Sequence, residues 1–229
     1  MKVVEHHLVG IYIVETNRGL RPATKNLLPG EQVYGEEIIK LEGSNGELRI
    51  WDPYKSKLAA AILAEMENLP QLAGRKILYL GAAQGTTCSH ISDVAGNAGL
   101  LICVEFAQKP VQKLLALVQK RQNMVPVLED ARYPERIAPF TSGRVDVLFQ
   151  DISQSEQASI FGRNALFFLK AGGIGILALK ARSIDSSISP EELDREAVLL
   201  LENEGLELLE SASIHEYEKH HRVIIMKKP

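Results

Sequence analysis

The spacing of apolar positions along this chain changes character near residue 55. Before it come short strand-like runs, Leu8 to Thr16, Gln32 to Tyr34, Glu36 to Leu41 and Glu47 to Trp51. They are separated by Asn17-Arg18-Gly19, Leu28-Pro29-Gly30-Glu31 and Gly43-Ser44-Asn45-Gly46, all residues that favour turns. This predicts a small antiparallel β unit over residues 1–54. Its apolar content is too low for independent stability, so it is expected to pack on the larger unit C-terminal to it. From Lys55 onward, helical and strand periods alternate. Helices are predicted over Ser56 to Asn68, Thr87 to Val94, Lys109 to Arg121, Gln154 to Phe168 and Pro190 to Glu204. Strands are predicted to end at Leu80, Glu105, Leu128, Gln150 and Leu179, and Leu206 to Ser213 with Arg222 to Met226 to close the chain as an antiparallel pair. Alternating strands and helices give a mostly parallel sheet covered on both faces, an α/β unit over residues 55–229.

Ligands of such sheets sit outside the carboxyl ends of the strands. Gly81, Glu105, Asp130, Asp151 and Lys180 all follow predicted strands, so all five are expected on one rim. The loop Gly81-Ala82-Ala83-Gln84-Gly85-Thr86 leads into a helix start, with Thr86 and Thr87 expected to cap it. Taken alone, this is as readily an ordinary strand-to-helix turn as a nucleotide site. A dinucleotide fingerprint requires a middle glycine, which lets a pyrophosphate lie on the backbone. Its absence here disfavours NAD and suits S-adenosylmethionine, a nucleoside ligand without phosphates. Glu105, after the next strand, is placed to accept hydrogen bonds from ribose hydroxyls.

Asp151 and Lys180 leave neighbouring strands, and Lys57 stands at the entrance to the first helix. An aspartate held between two lysines can bind a substrate hydroxyl and help remove its proton, and a buried lysine with lowered pKa can serve as the base. Any one of these lysines is most simply a surface residue. Together, around one rim, they point to chemistry. His6-His7 and His220-His221 are adjacent pairs; on a strand they face opposite sides and do not share an ion, so no metal site is expected. The acidic run from Glu191 to Glu196 is read as a solvated helix face.

Composition adds exclusions. The 229 residues are 45% hydrophobic and 24% charged, an ordinary globular balance. A net charge of −3 excludes nucleic-acid binding by bulk electrostatics, though not by local patches. Two cysteines, Cys88 and Cys103, cannot build a disulfide framework and are expected buried and reduced. Neither a membrane span nor a signal peptide is legible, and a cytoplasmic location is the default expectation.

Several blocks resemble one family. Trp51-Asp-Pro-Tyr-Lys-Ser-Lys-Leu-Ala-Ala-Ala-Ile62, Leu78-Tyr-Leu-Gly-Ala-Ala-Gln-Gly-Thr-Thr87, Val104-Glu-Phe106, Glu129-Asp-Ala-Arg-Tyr-Pro134 and Gln150-Asp-Ile-Ser-Gln154 look like fibrillarin. The chain has no glycine- and arginine-rich N-terminal tail and so is similar to the archaeal, fibrillarin-like members. The resemblance implies a Rossmann-like S-adenosylmethionine-dependent methyltransferase fold and 2′-O-methylation of ribose in rRNA, with tRNA a further substrate. It implies a box C/D ribonucleoprotein in which a guide RNA selects the nucleotide. Partners would be the guide and substrate RNAs, the Nop-domain scaffold protein and the kink-turn-binding ribosomal-type protein. Cofactor contacts would come from Gly81, Ala83, Gly85, Thr86, Thr87, Glu105, Phe106, Asp130, Ala131, Asp151 and Gln154. Thr86, Thr87, Asp151 and Gln154 would meet the methionine end, Glu105 the ribose, Phe106 the adenine face, and Asp130 with Ala131 its edge. The catalytic set would be Lys57, Asp151, Lys180 and a histidine just before the last strand. Counting back from that strand selects His221, and His220 stands where the family has an acid. Tyr79 stands where most other methyltransferases carry an acid, a departure the family shares. Two other readings stay open beside the guide-dependent enzyme: a stand-alone methyltransferase for a small molecule or protein, and a non-catalytic scaffold.

Overall fold

A computed structural model of the chain describes residues 2–41, 46–184 and 188–229. Gly43, Ser44 and Asn45, where a turn is expected, lie outside the described residues. The N-terminal sheet holds β1 (Val3–Glu5), β2 (Ile11–Thr16), β3 (Gly19–Lys25), β4 (Ile38–Lys40) and β5 (Glu47–Ile50), in the order β1-β2-β3-β5-β4, all antiparallel. Two strands here depart from expectation. Gln32 to Tyr34 is not a strand, because their amides turn inward: those of Val33 and Tyr34 donate to the Glu36 carboxylate. The central strand β3 is missed by its pattern because it carries Gly19 and Pro22. Pro22 is tolerated because the β3–β5 ladder begins one residue later, at Ala23.

The second sheet has the order β11-β12-β10-β9-β6-β7-β8. Its strands are β6 (Lys76–Leu80), β7 (Leu100–Val104), β8 (Met124–Val127), β9 (Val145–Gln150), β10 (Leu169–Lys180), β11 (Glu207–Ser213) and β12 (His221–Lys227). The five from β6 to β10 run parallel, and β12 is inserted antiparallel between β10 and β11. The helices are α1 (Lys57–Leu63), α2 (Thr86–Ala95), α3 (Gln108–Val118), α4 (Pro134–Thr141), α5 (Gln157–Phe168) and α6 (Pro190–Asn203). Helix α1 ends well before Asn68, with Glu65 in the left-handed region, and α5 begins three residues later than its pattern suggests. Helix α4, with proline at its start and a second proline inside, has no counterpart among the predicted elements.

Alternation along each strand sorts the core into two layers. Ile77 and Tyr79 of β6, with Val147 and Phe149 of β9, pack with α1, α2 and α3. Leu78, Leu80 and Leu148 pack on the other face with α4, α5 and α6. The N-terminal sheet has a small core of its own, while Leu8, Ile11 and Trp51 join the first layer of the large core.

A buried polar network also fastens the N-terminal sheet to α2. The Asp93 carboxylate accepts from Arg49 (2.7 Å), Arg121 (2.6 Å), the Thr24 hydroxyl (2.9 Å) and the Leu27 amide (3.1 Å). Arg49 also donates to Glu36 and Ser89. Because the Thr24 hydroxyl proton goes to Asp93, its oxygen accepts from Nδ1 of His90, which leaves Nε2 to accept from Tyr34. Burial, then the charges of Arg49 and Arg121, push the His90 pKa well down, so the ring is neutral.

Candidate active site

Because β6 to β10 are parallel, the residues that follow them share one edge of the sheet. Gly81, Glu105, Asp130 and Asp151 are there, and Lys180 is the last residue of β10. Strand β12 runs the opposite way, so its first residue, His221, reaches the same edge and pairs across from Lys180. The chain leaves β7 for α3 on one side of β6 and β9 for α5 on the other, so the sheet's topological switch point falls between β6 and β9.

At that point two backbones nearly touch. Gly81 has φ +85°, and a Cβ there would run into the carbonyl oxygen of Asp151. The loop then turns through Ala83 and Gly85, both left-handed. Gly85, not a threonine, holds the N-cap of α2, and no side chain among the described residues caps the helix. Thr86 and Thr87 are its first two residues, which corrects their expected role as caps. Thr87 instead donates its hydroxyl to Ser56 Oγ at 3.0 Å, joining α2 to the N-cap of α1. The first amides of α2 are thereby left without a side-chain cap beside the loop.

Glu105 is nearly buried, and both carboxylate oxygens are held from one side, by the Ala83 and Ala107 amides at 2.8 Å each. Each oxygen keeps a lone pair for a hydroxyl donor. Phe106 is 57% exposed beside it. Asp130 is gripped by Arg132 (2.6 Å), whose hydrogen bonds hold its pKa below the usual carboxylate range. Ala131 is buried, and its carbonyl accepts from Asn164 at 2.8 Å. Gln154 has a buried Oε1 with no protein donor among the described residues.

On the other side of the switch point, Lys57 Nζ lies 3.4 Å from Asp151 Oδ2 and 3.7 Å from Glu218 Oε1. Of the two predicted lysines, only Lys57 reaches Asp151 within ion-pair distance among the described residues. Lys180 is fixed through its backbone: Gln157 donates to its carbonyl (3.1 Å) and accepts from its amide (2.9 Å). Gln157 is fully buried, and its own carbonyl accepts from Gln150, the residue before Asp151. His221 Nδ1 donates to the Lys219 carbonyl at 3.0 Å, so Nε2 is the basic nitrogen. Burial lowers the His221 pKa first of all, and the nearby Lys57 charge adds to this. The ring is therefore neutral at pH 7, and its 3.8 Å approach to Glu218 is not a charged pair. The His220 ring stands edge-on to His215, with the ring centres 6.5 Å apart. No cluster of metal-ligating residues occurs among the described residues.

Two members of this group escaped the sequence reading. Glu218 sits in the Tyr217-Glu-Lys-His run that supplied the histidine, three residues before it, and signalled its place by that spacing. Gln157 gave no signal, since a buried glutamine in a helix start resembles any polar residue.

A sequence model of the fibrillarin family matches residues 3–229. The chain belongs to the fibrillarin family. It is 45% identical to a Thermococcus sibiricus protein named fibrillarin-like rRNA/tRNA 2′-O-methyltransferase, with all of both chains covered. Its fold superposes on Aeropyrum pernix fibrillarin, crystallised with natively bound S-adenosyl-L-methionine, with a TM-score of 0.89 at 43% identity over 99% of this chain and 98% of that one. The fibrillarin of a fibrillarin/Nop5p complex matches with a TM-score of 0.85 at 35% identity, covering 98% of this chain and all of the other. The Rossmann-like methyltransferase fold with an N-terminal antiparallel sheet is thus the fold of the family. Among the described residues no helix is long and apolar enough to cross a membrane.

Proposed function

We propose that this fibrillarin is an S-adenosylmethionine-dependent rRNA/tRNA 2′-O-methyltransferase that acts inside a box C/D ribonucleoprotein. The observation that carries the catalytic reading is the convergence of Lys57, Asp151, Glu218 and His221 on the edge that also bears the glycine loop and Glu105. The donor set fits the cofactor. Glu105 offers oriented lone pairs to a ribose, the first amides of α2 suit the methionine carboxylate, and the unpaired Gln154 Oε1 suits its ammonium. Phe106 would lie against the adenine, with Asp130 and Ala131 at its edge. When bound, S-adenosylmethionine supplies an electrophilic methyl group. The protein's part is to hold a ribose 2′-hydroxyl still and to share its proton. Asp151 and the neutral Nε2 of His221 are the acceptors for that proton, and Lys57 and Lys180 stabilise the oxygen as negative charge grows on it.

The Nop-domain scaffold is the partner best supported, since a relative is crystallised with Nop5p. Guide RNA and the kink-turn-binding protein complete the proposed particle. A net charge of −3 suits an enzyme whose substrate is brought to it by others. The test is single-turnover methylation of a complementary RNA with each component left out in turn. Site-specific methylation should need guide and scaffold; efficient methylation by the isolated chain would favour a stand-alone enzyme.

Glu105→Ala is expected to weaken S-adenosylmethionine binding by about 1–3 kcal/mol, the cost of unpairing the hydroxyls it serves. Calorimetry reads this directly. Tight NAD binding by the wild type without a response to S-adenosylmethionine would refute the cofactor assignment.

A further inference from the structure

A cleft of about 1060 Å³ opens over the N-terminal sheet, beside the catalytic edge but lined by none of its residues. Its walls are the β2–β3 hairpin, residues 32–37 and the turn that leads into α1. Tyr54 stands in it, 53% exposed. The guanidinium of Arg21 lies 5.6 Å from the centre of the Tyr54 ring, and Tyr217 meets the same ring edge-on at 5.7 Å. Lys55 lies 5.1 Å from the centre of the Tyr34 ring. Unlike Lys57, Lys120 and Arg132, neither Arg21 nor Lys55 has a carboxylate within 4.0 Å among the described residues. The cleft is linked to the catalytic group through Tyr54, whose ring meets Tyr217. Tyr54 is three residues before Lys57, and Tyr217 immediately precedes Glu218.

We propose that this cleft receives the substrate RNA strand next to the methylated nucleotide, with Arg21 and Lys55 against its phosphates and Tyr54 against the face of a base. The inference rests on the RNA methyltransferase reading of the catalytic edge. An RNA held by its 2′-hydroxyl at that edge must continue past the residues that flank Lys57 and Glu218. Exposed tyrosine beside unpaired cations is the surface that nucleic acid uses, because every base offers a π-face and every nucleotide a negative charge. The acids on the same lining set the extent of contact. Glu36 is neutralised by Arg49, and Asp52 accepts the Tyr54 amide at 2.9 Å. Asp52, Glu15 and Glu37 keep their charge and oppose a long polyanion, against the lining cations Lys2, Arg18, Arg21 and Lys55. The cleft therefore suits about two phosphates, not an extended duplex track.

The test uses the assembled particle and a substrate RNA that pairs with the guide over a short stretch, so that base pairing alone does not saturate binding. Tyr54→Ala should raise the half-saturating RNA concentration about tenfold, the loss of one stacked base. Tyr54→Phe should restore it. In the pair of substitutions Arg21→Gln and Lys55→Gln, the slope of log affinity against log salt should fall by about 2, one for each phosphate contact. A 5-iodouridine beside the target nucleotide should crosslink to Tyr54. Calorimetric affinity for S-adenosylmethionine should be the same in all variants, which separates this surface from the cofactor site. Unchanged half-saturation and salt slope in a wild-type-active particle would overturn the proposal. So would a Tyr54→Ala defect confined to particle assembly, which would make the cleft a protein-docking face. A wild-type particle that binds the cofactor but methylates no RNA would instead overturn the methyltransferase reading on which the proposal rests.

Discussion

Replacing Asp151 with asparagine should lower single-turnover methylation by about 10²–10⁴-fold at saturating cofactor, the usual range for a positioned proton acceptor. Asparagine keeps the shape of the side chain and the close approach of Gly81 to the Asp151 carbonyl, so the loop geometry survives. It removes the negative charge 3.4 Å from Lys57 and the basic carboxylate oxygen that would take the 2′-hydroxyl proton. Lys57 keeps Glu218 as a partner, so the substitution does not strand a cation. Lys180→Met should cause a loss of the same order while the Gln157 clamp, which holds only backbone, stays in place. Cofactor affinity has to be measured in parallel, since in the proposed site Asp151 would also lie beside the methionine end. Wild-type turnover by either variant at saturating cofactor would remove these residues from the mechanism.

The largest loss of stability is expected from Asp93→Ala. That carboxylate is the common acceptor for two fully buried arginines; removing it leaves Arg121 with no carboxylate partner among the described residues and Arg49 with Glu36 alone. Breaking a buried pair from one side costs about 3–5 kcal/mol. Total stabilities of domains lie at about 5–15 kcal/mol, so the variant should unfold at much lower denaturant. Asp93→Asn, which keeps part of the hydrogen bonding, should lose less. Equilibrium unfolding followed by the fluorescence of Trp51, buried where the N-terminal sheet meets the large core, reports on this joint. A loss below about 1 kcal/mol would show that the network is not what fastens the sheet to α2.

The parallel half of the fold was legible because its strands are apolar on both faces and its helices amphipathic, so period alone separates them. Gly81, Glu105, Asp130, Asp151 and Lys180 could be assigned to one rim from strand ends without any coordinates. The N-terminal sheet was read less well. Strand β3 carries a glycine and a proline that its position in the ladder happens to tolerate, and residues 32–34 are drawn out of strand geometry by the Glu36 carboxylate. Neither effect is local. The same holds for Arg49, Asp93 and Arg121: a charged residue is buried only because a distant partner meets it, and that partner is 28 to 44 positions away. In the candidate site, it was the family resemblance that pointed to His221 over His220, by counting from the last strand. The geometry that sets them apart is the antiparallel register opposite Lys180 and the Nδ1 bond to Lys219.

That register has an implication for the order in which the enzyme matures. Strand β11 is synthesised before β12, yet it joins the sheet only through β12, which lies between it and β10. Without β12 in that slot β10 has an open edge, whereas the glycine loop, Glu105 and Asp151 follow β6, β7 and β9, whose pairing with one another does not involve β12. A nascent or C-terminally nicked chain would thus retain a place for the cofactor while lacking His221 and Glu218. If His221 and Glu218 act as proposed, competence to bind and competence to react would be separated by the docking of a single strand.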